Sequence, residues 1–209
     1  MNGIIIINKP QGFTSQDVVS KVKKILNIKK AGHIGTLDPL ATGVFPVLLG
    51  EATKVSKYLM EHDKIYIEKV KLGEKRNTGD LEGDIVEISD TKISNKEKVK
   101  EVLQSFKGKQ TQVPPLYSAI KVNGKKLYEY ARSGQTVEIP ERKIEIFKIE
   151  LLNFDESNQE IEFKVECSKG TYIRTLCEDI ASKLRNSGIY ELLTKSKSSG
   201  ILILKMQLL

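Results

Sequence analysis

One carboxylate stands out for where it sits. Asp38 lies within Gly32-His33-Ile34-Gly35-Thr36-Leu37-Asp38-Pro39-Leu40-Ala41-Thr42-Gly43. Pro39 restricts Asp38 to extended backbone angles, which helps to fix where the carboxylate points. Leu37 and Leu40 flank it and can wall it from water. A partly desolvated carboxylate takes a cationic partner, or it protonates. On spacing alone, the competing reading is a turn aspartate that caps the next helix. Arg174 offers a cation. It sits in Cys167-Ser168-Lys169-Gly170-Thr171-Tyr172-Ile173-Arg174-Thr175-Leu176, where a strand feeds a helix. From such a junction a guanidinium reaches a carboxylate or a phosphate, and the plain alternative is a surface arginine. Tyr66, in Lys64-Ile65-Tyr66, can stack on a base or donate its phenol, or be a half-buried strand tyrosine. His33, on its glycine loop, can reach into nucleic acid or be a solvated turn residue.

Short elements must position these groups. Residues 3–8 are an apolar run that reads as a buried strand, and residues 14–27 read as a helix. Val18, Val19, Val22, Ile25 and Leu26 make that helix's stripe, and Thr14 with Asp17 has capping-box spacing. Residues 29–42 read as loop, and 52–60 as helical. A strand over 65–72 leads into a polar turn at 73–83, with 85–88 as its hairpin partner. Residues 94–106 form a second amphipathic helix, with Ser94 and Glu97 spaced as a capping box. The Pro114-Pro115 segment is extended, 118–122 reads as a strand, and 125–132 as a short helix ended by Gly134. Residues 143–154 and 160–167 look like an antiparallel pair. Residues 173–184 form a helix with Leu176, Cys177, Ile180 and Leu184 on its core face. Strands interleaved with few helices through short connections predict an α+β fold with a largely antiparallel sheet. Neither GxGxxG nor GxxxxGK[ST] follows a strand.

Composition narrows the partners. The chain has 209 residues and a formal net charge of +7. Residues 1–62 carry +4, residues 63–162 carry −1 and residues 163–209 carry +4. If the two ends meet, they form one basic face suited to a polyanion such as nucleic acid. The apolar runs are far shorter than the roughly 20 residues of a membrane span, and Lys9 and Pro10 end the first of them. Two cysteines and two histidines are too few for a disulfide framework or a four-ligand zinc site. The expectation is a cytoplasmic, metal-free monomer of one domain.

The motifs together resemble a known family. Asn8-Lys9-Pro10-Gln11-Gly12-Phe13-Thr14-Ser15 looks like its first motif. Lys30-Ala31 and the Asp38 loop, followed by Gly50-Glu51-Ala52-Thr53-Lys54, look like its catalytic motif. Pro114-Pro115-Leu116-Tyr117-Ser118-Ala119-Ile120-Lys121 and Ser168-Lys169-Gly170-Thr171-Tyr172-Ile173-Arg174-Thr175 match two more. The chain resembles the TruB family of tRNA pseudouridine synthases over about residues 3–185, with the four motifs in order.

The resemblance implies the pseudouridine synthase catalytic fold, with a mixed, mostly antiparallel central sheet flanked by helices and a family insertion at about 73–140. It implies isomerisation of uridine 55 in the T-loop of tRNA, without metal or cofactor. The N1–C1′ bond is cleaved, the uracil turns, and C5 joins C1′. Asp38 is carried over as the catalytic aspartate, which either attacks C1′ or removes a proton from C2′. Arg174 becomes the cation paired with it. Tyr66 becomes the ring stacked on the target base, assisting proton loss at C5. Tyr172 and Leu193 line the base pocket, and His33 fills the space left by the extruded base. Lys9 and Pro10 support the site, and the basic ends grip the phosphates of the T-arm.

The chain departs from the family pattern at several points. Arg76 and Asn77 stand where Thr-Asp is usual, and Ala181 where glycine is usual. Lys195-Ser196 replaces an Arg-Thr pair, which loosens the match at Leu193. Family members continue into an RNA-binding PUA domain, and the expectation here is a catalytic domain without one, ending in an apolar last strand. Two other readings share these residues. One is a tRNA-binding or tRNA-folding module, or a truncated remnant, that does not need Asp38. The other is a glycosidase-like hydrolase with Asp38 and Asp80 as a carboxylate pair within roughly 5–10 Å.

Overall fold

The computed structural model describes residues 1–81, 83–184, 188–198 and 201–202, and beyond Gly188 only the side chain of Lys195. In chain order the elements are β1 (Gly3–Lys9), α1 (Ser15–Ile25), β2 (Ala31–His33), β3 (Thr42–Leu49), a 3-10 helix (Gly50–Val55), α2 (Ser56–Leu59), β4 (Lys64–Leu72), β5 (Glu74–Arg76), β6 (Ile85–Ile88), α3 (Lys96–Gln104), β7 (Gly108–Gln112), β8 (Lys121–Val122), β9 (Lys125–Lys126), α4 (Leu127–Arg132), β10 (Arg142–Asp155), β11 (Glu160–Cys167), α5 (Ile173–Lys183), β12 (Gly188–Ser198) and β13 (Ile201–Leu202). The fold is α+β, with antiparallel pairs such as β1–β3 and β7–β10 and a parallel pairing of β12 with β3. The chain falls into two compact units, and β4, β11 and β12 each run from one into the other.

The first unit holds Met1–Glu68, Lys164–Lys169 and the chain from Leu192. Its strand order begins β1-β3-β12-β4, with β2 on the far part of β3. Every residue of β3 from Gly43 to Leu49 is buried, and these seven residues pair with β1. This strand is absent from the pattern reading, because Gly43 and Pro46 look like loop punctuation. The register explains both. β12 pairs β3 at Thr42 and Gly43, and β2 pairs it from Val47 to Leu49. Pro46 falls in the gap between them, where a strand can lack an N–H on its second edge. Gly43 has φ +103°, and a Cβ there would lie 2.3 Å from the Lys195 carbonyl oxygen. Only glycine permits that approach.

β1 is also less buried than its apolar run suggests. It ends the sheet order, and Ile4 and Ile6 on its outer face are exposed. In α1, Val18, Val19 and Val22 are buried as patterned, while Ile25 is exposed. The Thr14–Asp17 capping box forms. The segment 29–42 contains the short strand β2, and His33 is its last residue.

The second unit holds Lys69–Phe163 and Gly170–Glu191. Its sheet runs β11-β10-β7, and α3 packs on β10 with Val99 and Leu103 buried. The N-cap of α3 is Asn95, whose side chain accepts from the Lys98 N–H, one residue later than the Ser94 box. The partner of β6 is β5, not β4. Arg76 and Asn77 account for that. Arg76 donates to Glu74 Oε1 and to the carbonyls of Leu81 and Gly83, and Asn77 Oδ1 accepts from the Asp84 N–H. The two departures from the family pattern close this turn. Residues 118–122 form only the two-residue strand β8, paired with β9. In α5, Leu176, Cys177, Ile180 and Leu184 are buried, and the methyl of Ala181 abuts Gly188 so closely that a Cβ there would lie at 2.6 Å. Glycine at 188 makes room for alanine at 181.

Candidate active site

In the first unit the site joins the segment between β2 and β3, which carries Asp38, to the segment between β1 and α1. Asp38, Pro39, Leu40 and Ala41 form a β-turn closed by the Ala41 N–H on the Asp38 carbonyl at 3.1 Å, with proline in its favoured second place. Three ties fasten this turn to the first motif. The Lys9 ammonium donates to the carbonyls of Pro10 (2.9 Å), Phe13 (2.6 Å) and Pro39 (3.0 Å). The Gly12 N–H donates to the Pro39 carbonyl at 2.9 Å. Ser15 Oγ donates to the Leu37 carbonyl at 3.0 Å and accepts the Leu37 N–H at 2.9 Å. Ser15, Ile34, Leu37 and Ala41 are buried, and Asp38 is half-buried. A carboxylate on a turn held from both sides is pre-organised rather than mobile. The strand β3 follows the turn, so Asp38 caps no helix.

Lys9 is fully buried, and its three protons are all spent on carbonyls. Burial lowers its pKa, and the nearby Asp38 charge works the other way. It supports the turn from below, and Pro10 contributes its carbonyl. Tyr66 and Glu68 lie on the buried face of β4. Burial pushes the Tyr66 phenol far up, and the nearby Cys167 and Asp38 add to the shift. The hydroxyl therefore stays protonated, which suits stacking and donation and not a tyrosinate base.

His33 packs its ring on Phe45, with centroids 5.3 Å apart, and places Nδ1 3.1 Å from the Gly35 carbonyl. Its pKa is lowered by burial, with Lys195 as a further cause, so the ring is neutral at pH 7. Lys195 is 1% exposed. Burial and the neighbouring Lys64 bring its pKa down to about 8.

In the second unit Arg174 lies in the first turn of α5 and is buried, not a surface arginine. It donates to the carbonyls of Thr78 at 3.2 Å and Tyr117 at 2.8 Å, so two of the matched segments meet on it. Tyr172 is the residue just before α5 and is clamped by one side chain. Gln112 Oε1 accepts the Tyr172 N–H at 2.8 Å, and Gln112 Nε2 donates to the Tyr172 carbonyl at 3.0 Å. Asp80 is buried and accepts the Thr78 hydroxyl at 2.6 Å. Leu193 falls in β12, and its side chain lies outside the described residues.

The first unit thus brings Asp38, Lys9, Pro10, Tyr66 and His33 to its own sheet, while Arg174 and Tyr172 are fixed within the second. Sequence reading missed Ser15 and Gln112 as positioning groups. Ser15 was visible only as the end of a matched motif, and Gln112 carried no signal, because its partner is 60 residues away. Among the described residues, no three His, Cys, Asp or Glu side chains gather as a metal site would require. No helix of the described residues is long and apolar enough to cross a membrane.

Residues 23–173 match the model of the TruB family pseudouridylate synthase N-terminal domain. The chain is 48% identical over 184 residues to a tRNA pseudouridine synthase B of Vibrio atlanticus (strain LGP32), covering 88% of this chain and 57% of that protein. It is 50% identical over 200 residues to a tRNA pseudouridine synthase B of Clostridium acetobutylicum, covering 96% of this chain and 68% of that one. The chain thus spans about three fifths to two thirds of the length of these curated relatives. Among solved structures, it resembles a chain of a Cbf5-Nop10-Gar1 complex. The TM-score is 0.72 at 33% identity, with 94% of this chain and 48% of that chain covered. A chain from an H/ACA RNP bound to a substrate RNA containing 2'-deoxyuridine matches with a TM-score of 0.69 at 28% identity, covering 94% and 47%.

Proposed function

The chain belongs to the TruB family of pseudouridylate synthases, and we propose that it isomerises a uridine of tRNA, position 55 in the T-loop, to pseudouridine. The observation that carries this reading is the Asp38 turn, tied to the first motif by Lys9, Gly12 and Ser15, with the charge of Asp38 felt at the buried Tyr66. Relatives named tRNA pseudouridine synthase B supply the substrate class.

The reaction breaks N1–C1′, turns the uracil and forms C5–C1′. N1 gains a proton and C5 loses one, so no redox partner is needed. Asp38 acts as an anion, either by attacking C1′ or by taking the C2′ proton. An oxocarbenium-like sugar needs such an anion close by, as in glycoside hydrolysis. Arg174 is proposed as the cation that keeps this carboxylate ionised. Tyr66 stacks on the extruded base and Tyr172 lines its pocket. His33, neutral and flat, occupies the gap left in the T-loop. Extrusion costs a few kcal/mol, which these contacts offset. Lys9 and Pro10 hold the turn, and the substrate is gripped by its T-arm.

The test is tritium release from C5 of an unmodified tRNA transcript labelled in its uridines. One equivalent released per tRNA, abolished when uridine 55 is replaced by cytidine, supports the reading. Binding of the transcript without release would leave an RNA-binding module instead.

A further inference from the structure

Gly43 lies between two lysines. On one side it pairs with Lys9 of β1, and on the other with Lys195 of β12. Residues opposite one another in a sheet send their side chains to the same face. The Lys9 ammonium reaches the carbonyl of Pro39, the residue that follows Asp38 in the turn. Lys195 therefore leaves the face that carries the Asp38 turn, and Gly43 puts no side chain between the two.

The two lysines meet different fates. Lys9 has a carbonyl for each proton. Lys195 is as deeply buried, and among the described residues its ammonium has no hydrogen bond or ion pair. The neighbouring charge that acts on it is a cation. Lys64 opposes its charge, and Lys195 in turn opposes protonation of His33. Lys64 is steadied by the His62 carbonyl at 2.8 Å, and His33 by Gly35 and Phe45. A buried ammonium facing another cation is costly unless an anion joins them. Lys64 and His33 are half-buried, so this group of side chains is not wholly closed to solvent.

We propose that Lys195, with Lys64 and His33, is a seat for one phosphodiester of the bound RNA, beside the uridine on which Asp38 acts. This rests on the reading of the chain as a synthase acting on RNA. A single phosphate oxygen accepts from Lys195 Nζ, and a second faces Lys64. The seat fixes the sugar-phosphate of the extruded nucleotide, where a loose grip would let C1′ drift from the carboxylate.

The experiment measures binding of a fluorescent T-arm hairpin to the Asp38→Asn protein, which leaves the RNA intact, from 50 to 300 mM KCl. Lys195→Met is expected to weaken binding by roughly 5- to 20-fold at the lowest salt and to reduce the slope of log K against log salt by about 0.7–0.9. Lys195→Arg keeps the charge and is expected to restore both. A neutral methylphosphonate at the linkage beside the target uridine is expected to erase the difference between Lys195 and Lys195→Met, and the same change elsewhere is not. Equal slopes for Lys195 and Lys195→Met overturn the proposal. So does a difference that persists with every linkage neutralised in turn, or one reproduced by inorganic phosphate alone. Turnover by the parent protein alongside equal slopes would remove this seat and leave the proposed function standing. No RNA binding by the parent would remove both.

Discussion

Replacing Ser15 by alanine isolates the role of the Asp38 turn. The hydroxyl makes two bonds to one residue, accepting the Leu37 N–H at 2.9 Å and donating to the Leu37 carbonyl at 3.0 Å. Both residues are buried, so water cannot replace the lost partner. An unsatisfied buried polar group costs about 1–3 kcal/mol. Two of them, less the relief of no longer burying a hydroxyl, put Ser15→Ala at about 2–4 kcal/mol. For a chain of this size each kcal/mol moves Tm by about 2–4 °C, so the expected drop is about 5–15 °C. Leu37 directly precedes Asp38. A shift of about 1 Å in the carboxylate costs on the order of 100-fold in the chemical step. The assay is single-turnover tritium release at 20 °C, where the variant is folded, with RNA affinity measured in parallel. The expected result is a rate reduced 10- to 100-fold with Kd within twofold, and recovery in Ser15→Thr. A Ser15→Ala protein with Tm within 1 °C of the parent and an unchanged rate would refute the argument that this hydroxyl holds the turn.

Three further outcomes are expected. An unfolded lysine keeps its proton to above pH 10, whereas Lys195 releases its own at about 8. Between those limits the unfolded chain binds the extra proton, so stability rises with pH, by about 3 kcal/mol at most. Urea midpoints at pH 7.5 and pH 9.5 should differ less in Lys195→Met than in the parent, and an identical pH response in both proteins would contradict the burial argument. Gly43→Ala meets both a positive φ and the Lys195 carbonyl at 2.3 Å. It should cost more than about 3 kcal/mol, and a Tm within 2 °C of the parent would show that β12 can move aside. The Tyr66 phenol stays protonated well past the ordinary range. The ultraviolet titration of the seven tyrosines between pH 9 and 11 should be unchanged in Tyr66→Phe, and the loss of one ionising group there would mean that the ring is solvated.

Periodic elements were legible because one stripe or one face is buried. α1 and α5 show it at helical spacing, and β11 at strand spacing. β3 was not legible. It is buried on all sides, so nothing alternates, and its glycine and proline are explained only by strands far away in sequence. The outward face of β1 was hidden because isoleucine occupies both faces of an edge strand. The α3 cap slipped by one residue because Ser94 and Asn95 both suit an N-cap, and the Lys98 N–H decides between them. At the site, the Asp38 turn was legible from proline and glycine spacing. What holds it was not, since Ser15 and Lys9 act through backbone atoms 22 and 30 residues on. Lys195 looked like a mere departure from a pattern, because its meaning depends on a burial that spacing does not encode.

The central claim is that Asp38 performs the isomerisation rather than shaping an RNA-binding surface. The direct measurement is single-turnover pseudouridine formation on an unmodified tRNA transcript by the parent and by Asp38→Asn, with transcript affinity measured on the same preparations. The account predicts formation by the parent, none by Asp38→Asn, and affinities equal within threefold. Formation by Asp38→Asn at the parent rate, or none by either protein with affinity retained, would contradict it.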